Sequence, residues 1–316
     1  MTMRPYPNPM PWILIAILGH LSNGVAFVID KILLRSAFAR SATYAGLVGL
    51  LSTVLVLAVP FVHFWPQGYI WFAAAVSGAG FVFALWAFFA SLARAEASRV
   101  VPIVGSLIPM FTLAGAFVFL GERLADMTFV GFFILIIATV LLSGGKRGHI
   151  SHTTIWMSVA SALLFALSSI TGKAVYENAG FLGGFIATRL FASLTSLFIL
   201  CVLDRQAGRE ALKIFLPSLQ GSSKDKQPGR LAAFLAIIGQ CLGALGFVLV
   251  QYAISMGSAS IVNALQAVQY AFLVLFAIAM RSRARALLGE DLERHVLLRK
   301  VAALVLTAFG MYLIVV

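Results

Sequence analysis

Long apolar runs alternate with short polar joints along the whole chain, spaced as membrane-crossing helices would be. They fall at 11–34, 42–62, 70–92, 100–120, 126–143, 153–176, 183–203, 231–253, 260–280 and 296–316. Most run about 18–23 residues, the length that crosses roughly 30 Å of hydrocarbon. The pattern predicts an all-α polytopic membrane protein of ten transmembrane helices. The joint GGKRGHISH at 144–152 divides them into two sets of five. The one long connection, 204–230, carries Gly, Ser, Pro and mixed charge with no sustained apolar face, so it is expected to be a mobile link.

The pattern also repeats. Leu120-Gly121-Glu122-Arg123-Leu124 returns as Leu288-Gly289-Glu290-Asp291-Leu292, and the spans opening near Ser98 and Ser260 both begin at a small residue. Lys31 and Lys173 are 142 positions apart, Ser98 and Ser260 162, and Gly121 and Gly289 168. The increments fall in loops, first where 204–230 replaces 63–69, then at the inserted RSRARA of 281–286. Insertions confined to loops are what a duplicated unit predicts. The two units are 1–148 and 149–316. Five helices per unit, an odd number, force the second to enter the membrane inverted relative to the first. Inverted repeats are a transporter architecture, with the binding site expected near the midplane between the halves.

Composition agrees: 61% of residues are hydrophobic and 11% charged, which are not soluble proportions. The net charge of +12 lies mostly in short loops, so it is read as membrane orientation, and no nucleic-acid partner is expected. With the N-terminus inside, the cytoplasmic side would hold three basic residues and the opposite side nineteen of the 23. The positive-inside rule therefore predicts both termini outside and the 204–230 and 281–295 loops in the cytoplasm. Cys201 and Cys241 lie in or beside apolar runs and suggest neither a disulfide framework nor a thiolate site. The first span carries His20, Asn23 and Asp30 and is expected to be a retained helix, not a signal peptide.

Polar residues inside the spans are the candidate substrate pathway. Arg189 lies about a third of the way into the seventh span, where a charge must face protein, water or ligand. It is either a structural hydrogen-bond donor or a contact for substrate. Asn263, Gln266 and Tyr270 share one face of the ninth span, with Gln269 beside them, as helix glue or as a cavity stripe. His20 and Asn23 are three apart, and His20 is the candidate proton-coupling group, the alternative being a plain hydrogen-bond donor. Gln240 lies among Gly239, Gly243 and Gly246, which are expected to pack helices closely. Pro102 and Pro109 free carbonyls in the fourth span, marking a hinge or cavity lining. Lys31 and Lys173 are expected to snorkel to headgroups, and Glu122 and Glu290 to serve as structural carboxylates at helix N-termini. His149 and His152 are too few for a metal site.

These residues carry a resemblance. Lys31 and Lys173 closing spans one and six, Arg189, Pro109 and the Gly121–Leu124 tetrad GERL make the chain similar to ten-helix members of the drug/metabolite transporter superfamily, the EamA-like group. The chain departs from the pattern in lacking an arginine in span two and in having Tyr270 and Ala271 where the first half has Pro109. The resemblance implies export or exchange of small metabolites or amphipathic compounds, with spans one to four and six to nine around a central cavity.

Omissions narrow the function. There is no phosphate-cradling glycine loop, no metal-ligand cluster and no carboxylate pair, so no cofactor or metal is expected and neither is enzyme chemistry. No acidic residue lies near the middle of a span, which disfavours cationic drugs, whereas Arg189 favours anionic or zwitterionic substrates. The expected protein is a monomeric secondary transporter of small polar metabolites such as amino acids, in a bacterial inner membrane. A multidrug exporter, or a flippase for lipid-linked or sugar-type compounds, is the alternative on the same fold.

Overall fold

The computed structural model describes residues 10–33, 40–95, 97–143, 151–215, 230–280 and 294–315. Among these, every regular element is helical. In chain order they are α1 (Met10–Leu33), α2 (Ser41–Leu51) with a 3₁₀ continuation (Ser52–Phe61), α3 (Ile70–Leu92), α4 (Ala97–Gly115) ending in a π-turn (Ala116–Leu120), and α5 (Asp126–Ser143). Then follow α6 (His152–Phe198) with its own π-turn (Ile199–Leu203), α7 (Arg205–Phe215), α8 (Arg230–Met256), α9 (Ala259–Ala264), α10 (Gln266–Met280) and α11 (Arg294–Val315).

Seven of the described helices are long and apolar enough to cross a membrane. One of them, His152–Leu203, has 52 residues, twice what a crossing needs. It breaks at Gly180, whose φ of 70° and ψ of 168° only glycine adopts cheaply. Two limbs result, 152–179 and 181–198, which match the sixth and seventh predicted spans. Two shorter apolar helices, Ser41–Leu55 and Asp126–Leu141, fall on the second and fifth. The outer surface is as apolar as the interior: Leu57, Phe119, Trp156 and Val118 are each at least 70% exposed. Such a surface is stable only against lipid, and the chain is an integral membrane protein.

Among the described residues four spans depart from uniform helix, the seventh through its π-turn Ile199–Leu203. The second tightens to 3₁₀ over Ser52–Phe61, where Pro60 removes a backbone donor. The ninth is interrupted at Leu265, between α9 and α10. The fourth stays helical through Pro102 and Pro109 from Ala97 to Gly115, and only then widens into its π-turn. The expected mobile link at 204–230 is corrected in part. Arg205–Phe215 is a helix, nucleated by Asp204, whose Oδ1 accepts from the Ala207 amide at 2.9 Å. The pair of buried alanines that form its apolar face, Ala207 and Ala211, is too small to register as an apolar run. The rest of that link, 216–229, lies outside the described residues.

The helices pack into two compact units, each drawing on both halves of the chain. The first comprises residues 1–35, 101–148 and 229–316. In it α1 lies against α8 and α5 against α11, while α10 touches α1, α5 and α11. A Cβ on Gly19 would stand 3.0 Å from the Gly246 carbonyl, so these two glycines let the α1 and α8 backbones almost touch. Ser22 Oγ donates to the Leu242 carbonyl at 3.0 Å across the same seam. Of the glycines expected to pack α8, Gly246 makes the close approach, whereas a Cβ on Gly243 would meet only Ala26 at an ordinary 3.6 Å.

The second unit comprises residues 36–100 and 149–228. Its spine is α3 on α6, tied by three serines. Ser77 Oγ donates to the Ser168 carbonyl at 2.9 Å, Ser168 Oγ returns the bond to the Ser77 carbonyl at 2.8 Å, and Ser161 Oγ reaches the Ala84 carbonyl at 2.9 Å. Each such bond is worth only about 0.6 kcal/mol in a membrane, so close packing carries most of the contact. The α2 helix docks on both α3 and α6, with Ser193 Oγ donating to the Gly49 carbonyl at 3.2 Å.

Candidate functional site

Within the first unit, the polar side chains gather around the interruption between α9 and α10. Ser258 caps α9 by accepting from the Ile261 amide at 3.1 Å. The helix lasts six residues, stops at Leu265, and restarts at Gln266. His20 of α1, 5% exposed, bonds through Nε2 to the Val262 carbonyl at 2.9 Å, one turn before the interruption. Its Nε2 therefore carries the proton in the neutral ring. The Gln269 side chain lies beside the same imidazole, yet Nδ1 makes no bond of acceptable geometry. Asn263 is buried and donates from Nδ2 to Thr112 Oγ1 of α4 at 3.0 Å. Tyr270 packs its hydroxyl over Gly105, also on α4. Asn263 and Tyr270 thus share the α4-facing side, as their spacing requires, while Gln269 faces α1. Gln266 is half-buried.

The other candidates in this unit divide. Asn23 sits with its amide oxygen against Gly246 in the α1–α8 seam. Pro109 is buried in α4, and the side chain of Pro102 lies outside the described residues. Gln240 is exposed on α8, away from the His20 and Asn263 bonds just described. Glu122 corrects its expected role as a helix N-terminal carboxylate. Gly121, at φ 65°, turns the chain so that Glu122 is buried and receives a hydrogen bond from Ser258 Oγ. Asp126 takes the first turn of α5 instead. The GERL motif thereby joins the α4–α5 turn to the cap of α9, a link between residues 136 apart that spacing alone could not reveal. An apolar cavity of about 570 Å³ opens beside this turn, lined by Met110, Leu113, Phe117, Phe129 and Phe133. It shares no lining residue with the His20–Asn263 group.

Arg189 belongs to the second unit and is 2% exposed. Its guanidinium carbon lies 4.5 Å from the centroid of Phe81 and 5.7 Å from that of Phe185, both within cation–π range. Tyr176 is near enough to interact electrostatically with it. Phe185 stacks on Phe181 at 5.2 Å, and Phe181 meets Tyr176 edge-on at 5.6 Å, so the arginine is lined by an aromatic run. Lys173, one turn before Tyr176, is 3% exposed with Nζ 4.0 Å from Glu177 Oε1. That corrects the expectation of snorkelling: an acidic neighbour four residues on lets the ammonium stay inside. The side chain of Lys31, and all of His149 and Glu290, lie outside the described residues. Cys201 and Cys241 are both exposed and free.

The stretch from α1 to the end of α5 matches the model of the EamA-like transporter family, over residues 10–144. Over that stretch the chain is similar to EamA-like transporters. Of the residues that carry the resemblance, this segment holds Lys31, Pro109 and the GERL tetrad, while Lys173 and Arg189 lie beyond it. A crystal structure of another protein shares the fold, with a TM-score of 0.63 at 16% identity over 96% of each chain. No curated protein sequence matches the chain. An EamA-like segment in an integral membrane protein suggests transport of small molecules across the membrane.

Proposed function

We propose that the chain is a secondary transporter, an exporter or exchanger, of small zwitterionic or anionic metabolites such as amino acids, working by alternating access as a monomer. The observation that carries the substrate class is Arg189, a buried cation whose neighbours are aromatic faces. Its positive charge and planar fork suit a carboxylate, and the ring faces at 4.5 and 5.7 Å add cation–π attraction. In the first unit, taken by itself, buried Asn263 and His20 and half-buried Gln266 gather polar groups near an interrupted helix, the kind of backbone that transporters place at substrate depth. His20 is the proposed proton-coupling group.

Ten crossings in two inverted five-helix units are part of the same proposal, 1–148 and 149–316. Counting the two limbs of α6 separately, and joining α9 to α10, ten apolar helices fall among the described residues, which supports that reading. Exchanging span one with six and three with eight turns the α1–α8 pair into the α6–α3 pair, and both pairs are principal contacts. Span five pairs with span ten, and span two with span seven, each with its own counterpart. This reciprocity of contacts within the units is what a duplicated five-helix sequence predicts.

The test is a thermal-shift panel on the detergent-solubilised protein. Amino acids and small carboxylates raise the melting temperature in proportion to RT ln(1 + [L]/Kd), and quaternary ammonium dyes leave it unchanged. Stabilisation by the dyes alone would reverse the assigned substrate charge.

A further inference from the structure

We propose that α7 is a membrane-surface helix whose outward arginines bind anionic phospholipid headgroups. This goes beyond transport, and its test does not require a substrate. The chain fixes where the helix lies. The span through 181–198 continues in the π-turn Ile199–Leu203, and α7 begins two residues later at Arg205. A helix starting that close to the end of a crossing has its first turns at headgroup level.

Its two sides carry opposite chemistry. Ala207 and Ala211, four residues apart, are buried and pack in one cluster with Ala42, Ile199 and Leu200. Both acidic groups of this segment are turned towards the protein. Asp204 caps the helix and pairs with Arg40 at 3.4 Å, and Glu210 accepts from Thr43 Oγ1 at 2.6 Å. Arg205 and Arg209, one turn apart, are exposed, as is Leu212 at 51%. The acids are thus used inside while two guanidiniums and one leucine face outward. A cationic stripe beside a single apolar residue, at headgroup level, fits lipid phosphates with a shallow acyl contact. The basic loops place this end of the molecule on the cytoplasmic side, where anionic lipid attracts such residues.

The experiment is amide hydrogen exchange across 205–215 in the full-length protein, in nanodiscs of phosphatidylcholine alone and of phosphatidylcholine with phosphatidylglycerol. Exchange is expected to slow about tenfold or more in the anionic discs, and high salt to restore the neutral-disc rate. The double variant Arg205→Gln/Arg209→Gln should exchange alike in both discs. In neutral discs it should exchange no faster than the unaltered protein, which verifies that the helix still forms. Arg205 sits in the first turn, where a cation opposes the helix dipole. An effect on intrinsic helix stability alone would therefore slow exchange in the Arg205→Gln chain, the opposite sign. Equal rates in both discs for the unaltered protein, or a lipid effect surviving in the double variant, would overturn the proposal.

Discussion

Replacing Arg189 with alanine is expected to lower substrate flux by at least tenfold while the protein still inserts and purifies as the unaltered chain does. The two halves of that expectation have separate causes. A charge at a helix centre costs roughly 2.5–3.5 kcal/mol on insertion scales, so its removal makes insertion easier. Binding loses a charge-assisted contact worth about 1.5–3 kcal/mol, a factor of ten or more. The cation–π contacts at 4.5 and 5.7 Å are lost too, but they orient the guanidinium more than they hold the helix. Arg189→Lys keeps the charge and loses the planar fork, so it should fall between the two. Flux measured in proteoliposomes, beside expression and elution profile, checks this. Unchanged flux in the alanine variant would make Arg189 a structural residue.

Gly78→Leu should unfold the second unit, or lower its melting temperature by many degrees. A Cβ at Gly78 would lie 2.6 Å from the Ala192 amide nitrogen and 2.8 Å from Phe191 Cβ, with the Thr188 carbonyl closer still. Two of these three are backbone atoms and cannot rotate aside. The seam between α3 and the 181–198 limb would have to open. Overpacking typically costs 1–3 kcal/mol, and contacts this short put Gly78 at or above about the upper end. Gly80→Ala serves as the control, because its Cβ would meet nothing nearer than 3.4 Å. Fluorescence-detected thermal unfolding in detergent should separate the two variants. Equal melting temperatures would mean that the seam is looser than described.

The apolar runs were legible because a membrane crossing imposes length and hydropathy on every residue in it, and the sixth and seventh spans were separable because the helix breaks at Gly180 between them. The polar stripe of the ninth span was legible for the same reason: a 3.6-residue period puts Asn263 and Tyr270 on one side, and both meet α4. Periodicity could not show the interruption at Leu265, since no glycine or proline marks it. Nor could it show that His20 serves the Val262 carbonyl, or that Ser258 holds Glu122. Those bonds join residues 242 and 136 positions apart, and only the fold brings them together. The α7 helix was missed because its buried face is two alanines and its charges, taken in order, look like a solvated link. The available signal is Asp204 three residues before Ala207, an N-cap set in an otherwise polar stretch.

Counterflow in proteoliposomes tests the central claim most directly. Vesicles loaded with an unlabelled amino acid or small carboxylate, then diluted into trace radiolabelled compound, should accumulate label transiently above equilibrium, and the Arg189→Ala protein should not. Accumulation requires a site that faces each side in turn, which a channel or an inert scaffold lacks. Label that only equilibrates, or counterflow confined to quaternary ammonium compounds, would contradict an alternating-access carrier for anionic and zwitterionic metabolites.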